Sequence, residues 1–530
     1  MLKLSFVRSG EWRVQTDNFP YLLSALLVIP AAGLLAIAVM EEKMARGLAI
    51  AFSLALVILS AFLWVSFSPL GGQDRLQTFA FEQNFKWIAA PIPVSYHVGV
   101  DGMSLCLVVL TTFVTFMAVL ASEKITLRPK LYYGLLMLLS VSILGVFVSL
   151  DLLQFFVFYE LELVPMYFLI AIWGGARRDY AAMKFLLYTF LGGILMFGSI
   201  LFVYFQLSAD DPSTNFNMVQ LAVRCPLMPK FFQIFGFLGF FMAFIIKLPS
   251  FPFHTWLPDA HVEAPTPVSM LLAGLLLKMG SYGLVRICIS FFPNVIADYG
   301  PWIMTLGAFN IVWGAIACLV QTDMKRIIAY SSVSHMGFVL MGVGAATAAA
   351  LSGAIFQMIS HGVISAALFF LVGAVYERTH TRQLQEIGGG LAKQMPVLFY
   401  FWMFAALANL GLPGLSGFVA ETAVYYGAFT SPFTAIADQA DLAKGAVIFA
   451  TTGVVLTAAY MLWLLKRLFF GAELPVWQGR LSDARLNERV IAWALSIAIF
   501  GLGIYPLLLT NQYDNLARAI SSILQSKLSS

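Results

Sequence analysis

Six ionisable residues, Glu160, Lys247, Lys278, His335, His361 and Glu421, stand inside long apolar stretches of this sequence. Glu160 follows Asp151 by nine residues, about 14 Å along a helix. Lys278 is central between Pro267 and Ser290, His335 lies nine residues beyond Arg326, and His361 ten beyond Leu351. Lys247 stands beside Pro249 and Pro252, and Glu421 follows the glycine-rich run Gly411–Gly417. A charge at the centre of a membrane helix costs about 2.5–3.5 kcal/mol, so several together must face one another or water. The chemistry that suits such a set is proton passage. A lysine in low-dielectric surroundings holds its proton loosely, and a neighbouring carboxylate tightens that hold. A Glu–Lys pair is therefore a two-position switch, and histidines can pass protons in either direction.

Each residue also has a plainer reading. A Glu160–Lys247 pair can be structural, and a histidine in an apolar span is often a hydrogen-bonded filler. Glu162 points about 200° around the helix from Glu160, which reads as peripheral. Lys184, near the start of a helix, can act in the relay or extend its ammonium to the interface. Asp151 reads as a helix N-cap rather than a proton carrier. His254, Asp259 and His261 are metal-ligand types, but their proline-broken segment offers no fourth ligand.

The elements that must position these residues follow from composition. The 530 residues are 60% hydrophobic and 11% charged, far from the quarter charged of a soluble domain. Crossing a bilayer takes roughly 20 apolar residues, and the apolar runs are continuous rather than alternating as in a barrel. The chain is expected to be all-α, a polytopic membrane protein of about fourteen transmembrane helices. These fall at 20–40, 47–69, 101–122, 131–149, 151–173, 181–207, 231–250, 266–291, 301–320, 327–345, 351–377, 397–429, 443–470 and 489–511. The stretch with Gln73, Asp74, Arg75 and Gln83 is too polar to span. Leu516, Ile520, Ile523, Leu524 and Leu528 make one apolar face of a short surface helix. The first twenty residues lack the short apolar core and cleavage site of a signal peptide, so the first helix is expected to remain as an anchor.

The net charge of +4 carries no sign of nucleic-acid binding. Cys106, Cys225, Cys288 and Cys318 are scattered without a C-x-x-C pair, and no nucleotide fingerprint follows a strand. No cofactor and no metal are therefore expected in this chain. Basic residues concentrate in loops after odd-numbered helices (Lys43, Arg46, Arg128, Lys130, Arg177, Arg178, Lys325, Arg326). Those loops are expected to face the cytoplasm and both termini the opposite side.

Helices seven and twelve are interrupted, at Lys247-Leu248-Pro249-Ser250-Phe251-Pro252 and at Asn409 to Gly417. Broken backbone at membrane depth survives only where protein or a wet cavity satisfies it, and paired breaks point to inverted repeats. The expected organisation is residues 1–130 (three helices and the connector), 131–291 and 301–470 (two inverted five-helix repeats), and 471–530 (a last helix and amphipathic tail).

Several segments resemble the antiporter-like M subunit (chain 4) family of complex I. They are Phe158 to Pro165, Ala171 to Gly175, Lys247 to His261, Leu271 to Gly280, Tyr330 to Gly337 and Gly411 to Phe418, in order across residues 95–470. The resemblance implies that Glu160 pairs with Lys247, that Lys278 and His335 carry a central relay, and that Glu421 is its terminal group. It also implies a proton-translocating subunit whose complex oxidises NAD(P)H or ferredoxin and reduces quinone. Iron–sulfur clusters and quinone would belong to partner subunits, and the direct partners would be antiporter-like neighbours and the lipid bilayer. The competing readings are a D-type subunit of a multisubunit cation/proton antiporter, a non-conducting spacer, and a self-contained redox enzyme. A glutamate at position 421 favours the first family over the antiporters, mid-span charges argue against a spacer, and the missing ligand set argues against a redox enzyme.

Overall fold

The computed structural model describes residues 4–6, 12–14, 21–68, 79–88, 93–211 and 214–529. Arg8, Glu11, Asp17, Gln73, Asp74 and Arg75 lie outside the described residues. Among the described residues thirteen helices are long and apolar enough to cross a membrane, and two shorter helices, Pro396–Asn409 and Ser416–Phe429, occupy the range expected for the twelfth.

The first six are α1 (Leu22–Val39), α2 (Ala45–Ser66), α3 (Gly102–Ala121), α4 (Pro129–Val148), α5 (Leu152–Trp173) and α6 (Arg178–Asp210). The seventh is split into α7a (Lys230–Lys247) and α7b (Trp256–Glu263). Then come α8 (Thr266–Ile289), α9 (Pro293–Leu319), α10 (Met324–Gly344) and α11 (Ala348–Thr379). The twelfth is split into α12a (Pro396–Asn409) and α12b (Ser416–Phe429), followed by α13 (Ala437–Phe469), α14 (Leu486–Ile504) and α15 (Leu507–Ser529).

Both expected breaks are present. Prolines 249 and 252 remove backbone donors, and α7a stops at Lys247. In the twelfth helix, Gly411 and Gly414 adopt φ of +80° and +92°, a conformation that side chains with a β-carbon rarely take. Several boundaries differ from expectation: α9 begins at Pro293 rather than 301 and α13 at Ala437 rather than 443. The connector after α2 is not simply polar loop: β3 (Ala80–Ile88) pairs antiparallel with β4 (Val94–Val100), and a smaller hairpin joins β1 (Leu4–Phe6) to β2 (Trp12–Val14). The last membrane helix ends at Ile504 rather than 511, because Pro506 lacks the donor needed to carry it on. The tail α15 buries Tyr513, Leu516, Ala517, Ile520 and Leu524, as its apolar spacing requires, while Ile523 is 36% exposed.

Helices α8, α10 and α11 form the interior and carry the central ionisable groups. Two π-helical turns, Leu272–Leu276 and Leu284–Ile289, interrupt α8. Helices α9 and α10 lie backbone to backbone. A β-carbon on Gly307 would lie 2.7 Å from Gly337 O, and one on Gly314 2.6 Å from Ser334 N. Such small-residue contacts let membrane helices approach closely.

Candidate functional site

The site begins on α5. Asp151 is the N-cap of this helix, accepting from the backbone N–H of Leu153 and Gln154. Pro165 cannot donate to the Leu161 carbonyl, and the helix is interrupted at Glu162. Glu162 is fully buried and bonds the ammonium of Lys247, itself 1% exposed. The expected pairing of Lys247 with Glu160 is therefore not the contact the structure makes, and Glu162 is not peripheral. The two carboxylates do leave α5 in different directions. The one at 162 meets Lys247, while a β-carbon on Gly193 of α6 would collide with the Glu160 carboxylate. Glu160 remains within electrostatic range of Lys247. The Tyr159 and Phe185 rings lie 4.9 and 5.9 Å from the Lys247 ammonium. Close packing of α7a on α8 sets the lysine's position, since a β-carbon at Gly280 would lie 2.6 Å from Phe244 O.

Two residues before Gly280 stands Lys278, fully buried. Its Nζ donates to the Ala273 carbonyl at 2.5 Å and contacts His361 Nδ1 at 2.7 Å. Ala273 lies in the first π-helical turn, and such turns recur at functional positions. With Lys278 charged, its hydrogen bond places the His361 lone pair on Nδ1 and the ring proton on Nε2. The rings of His361 and His335 are 5.6 Å apart, centre to centre. His335 Nδ1 lies 3.2 Å from Glu421 Oε1 and 3.3 Å from Gln357 Nε2. This nitrogen thus stands between an acceptor and a donor. Unprotonated, it accepts from Gln357; protonated, it donates to Glu421. Both histidine Nε2 atoms are buried without a partner among the described residues.

A small cavity joins these groups, lined by His335, His361, Gln357, Ser360, Asn409 and Glu421, with about 10 Å³ open to a water's centre. That is room for roughly one water molecule, beside both histidine rings. The broken twelfth helix shapes the far wall. Gly411 lets the Glu421 carboxylate approach, Oε2 lying 3.0 Å from where a β-carbon would stand. Ser360 Oγ donates to Ser416 Oγ at 2.8 Å across the break.

Lys184 does not reach out to an interface. Its ammonium bonds Asp259 at 2.7 Å, and Arg326 meets the other oxygen of that carboxylate at 3.1 Å. His254 accepts from the Trp313 indole at 3.3 Å. These partners account for two of the three residues weighed as metal ligands.

The structure thus brings Lys278, His361, His335 and Glu421 into one connected line. It sets Lys247 with Glu162 at one side, and it places Glu160 and Lys184 outside that line. Sequence reasoning missed Gln357, whose signal was a polar residue four positions before His361, hence on the same helix face. It also missed Lys325, buried with Nζ on the Ala264 carbonyl at 2.6 Å, and the buried Asp101–Arg286 pair.

A family model described as NADH:quinone oxidoreductase/Mrp antiporter, TM, matches residues 149–437. The NAD(P)H-quinone oxidoreductase chain 4 of Gloeobacter violaceus is 42% identical over 501 residues, covering 94% of this chain and 92% of that protein. A chain 4 from a Synechococcus species is 43% identical over 482 residues, covering 90% and 86%. In the solved respiratory complex I from Thermus thermophilus with bound NADH, one chain superposes with a TM-score of 0.83 at 26% identity. The match covers 95% of this chain and 99% of that one. A chain of the Mrp complex from Dietzia shares the fold, with a TM-score of 0.78 at 20% identity over 96% and 99% of the two chains.

Proposed function

The chain belongs to the membrane-subunit family shared by NADH:quinone oxidoreductase and Mrp antiporters, and from that premise we propose how it moves protons. It is a proton-translocating, chain 4-type subunit of a complex I-type NAD(P)H- or ferredoxin-quinone oxidoreductase. Its direct partners are the antiporter-like membrane subunits of that complex. The observation that carries the reading is the line Lys278–His361–His335–Glu421, closed by a cavity with room for one water.

In that line Lys278 gives a proton to His361 Nδ1 as His361 releases its Nε2 proton to the cavity water. The water passes a proton to Nε2 of a His335 that starts with its ring proton on Nδ1, and that Nδ1 proton leaves to Glu421. Lys247 governs the loading. Held against Glu162 its charge is compensated; separated from it, that charge repels a proton on the neighbouring Lys278. Glu160 is the second carboxylate available to Lys247, and Lys184 with Asp259 and Arg326 forms a separate cluster beside the uptake half.

The breaks in the seventh and twelfth helices each fall in the fourth helix of a five-helix unit, α4–α8 and α9–α13. That placement supports an inverted-repeat organisation with one half for uptake and one for release. The basic loops put the face with Lys325 and Arg326 toward the cytoplasm and the termini on the other side. The chain is an integral multi-pass protein of a bacterial plasma membrane or a thylakoid membrane. NAD(P)H or ferredoxin, the iron–sulfur clusters and quinone are handled by partner subunits.

Purification of the tagged chain with its native partners tests this reading. Hydrophilic iron–sulfur subunits and quinone-dependent proton uptake into vesicles are expected. Recovery with small membrane partners alone, together with sodium–proton exchange, would establish the D-type antiporter subunit instead.

A further inference from the structure

We propose that Asn310 is a positioning residue for Lys247: its amide, carried on α9, sets the broken turn that presents the lysine to Glu162. The proposal rests on the reading of Lys247 given above. Asn310 is fully buried near the middle of its helix. Its Oδ1 accepts from the Phe251 backbone N–H at 2.8 Å, and its Nδ2 donates to Ser250 Oγ at 3.0 Å.

The break needs such a partner. Within it the Leu248 N–H bonds Phe244 O and the Ser250 N–H bonds Ile245 O, which continues the helix by one turn. Pro249 and Pro252 have no N–H. The Phe251 N–H points away from its own helix, and an unsatisfied donor at this depth is costly. Asn310 supplies the acceptor from another helix.

The same face of α9 holds the rest of the break. Trp313, one turn on, donates to His254, and the rings of Phe309 and Trp313 pack on Phe251 at 4.8 and 5.6 Å. The turn is thus clasped at Ser250, Phe251 and His254, beginning three residues after Lys247. Gly307 and Gly314, one turn to either side of Asn310, bring α9 against α10 at Gly337 and Ser334, which bracket His335. One helix therefore fixes the turn beside Lys247 and packs against the segment that carries His335. The charged and titratable groups facing Lys247 are Glu162, Glu160 and Tyr159 from α5; α6 offers Phe185, and α8 offers Gly280 with Lys278 two residues before it.

The test uses the assembled complex in sealed vesicles, with assembly, quinone reduction, protons moved per electron and the pH profile of that ratio measured together. Asn310→Leu keeps the volume and removes both bonds; Ser250→Ala removes the Nδ2 bond and the hydroxyl's own 3.3 Å bond to the Phe251 carbonyl, leaving the Phe251 N–H on Asn310; Asn310→Asp keeps an acceptor for both the Phe251 N–H and the Ser250 hydroxyl. A lost buried hydrogen bond changes an equilibrium by about tenfold. The midpoint of the pH profile is therefore expected to move by about one unit in Asn310→Leu and Ser250→Ala, with quinone reduction retained. Asn310→Asp should return it toward wild type. A wild-type profile in Ser250→Ala overturns the proposal, including the case where Asn310→Leu does not assemble. So does an equal fall of assembly and of both activities in all three variants. Glu162→Gln separates the two levels: if it translocates protons normally, the reading of Lys247 fails; if it does not while Ser250→Ala is unchanged, only the role of Asn310 fails.

Discussion

Replacing Glu162 by glutamine removes the carboxylate bonded to Lys247 and keeps the side chain's shape. For an ordinary ion-pair separation of about 3 Å and an effective dielectric of ~20, the attraction lost is ~5–6 kcal/mol. Measured losses on breaking one side of a buried pair run about 3–5 kcal/mol, because the remaining charge is left without compensation. Lys247 is 1% exposed, so water cannot take the place of the missing partner. The variant is expected to lose most proton translocation, with reduced but detectable assembly. Glu160→Gln touches a carboxylate that is not bonded to Lys247, so it should assemble normally and lose less. The assay is quinone-driven acidification in inverted vesicles, normalised to quinone reduction and to the amount of complex in native gels. The reasoning is refuted if Glu162→Gln translocates at the wild-type ratio with normal assembly while Glu160→Gln fails. That outcome would mean Lys247 works against Glu160 and that the Glu162 contact is scaffolding.

Glu421→Gln preserves hydrogen bonding at the twelfth-helix break and removes the exchangeable proton. Intact assembly with lost translocation is expected, and full translocation alongside failed assembly of Glu421→Ala would assign the residue to scaffolding. Gly411→Ala places a β-carbon at a φ of +80° and 3.0 Å from the Glu421 carboxylate. A destabilisation of about 1–3 kcal/mol is expected, read as a lower melting temperature of the purified complex. Asp259→Asn leaves Lys184 and Arg326 facing each other across a neutral group. Slower translocation with quinone reduction less affected is expected, and Lys184→Gln in the same background should recover part of it.

The breaks were legible because proline and glycine act on the chain locally. Pro249 and Pro252 stand three apart and Gly411 and Gly414 flank Pro413, whereas a lone proline at 30 or 301 leaves its helix running. The central histidines, Lys278 and Glu421 were legible because a charge within an apolar span must find company, and here they find one another. Glu162 was misread for a specific reason. Helical geometry gives the angle between Glu160 and Glu162 but not which side the rest of the protein occupies, and α7a packs on the side of Glu162. The β3–β4 hairpin was missed because its signal is short: Gln83 is buried there through a bond from Ser24, on a helix distant in sequence. Asn310 had no local signal at all. Its meaning lies in an unpaired N–H about sixty residues away.

Lys278 is held by a backbone carbonyl and an imidazole, and neither brings a negative charge. A lysine bonded to a carboxylate can be loaded while the site stays neutral overall; this one cannot. Each proton that settles there adds a full unit of charge to the middle of the bundle, where the low dielectric spreads its influence across neighbouring helices. A second proton on His361 or His335 is thereby discouraged until the first has gone. In the proposed relay the line carries protons singly, and its occupancy is readable through the field alone.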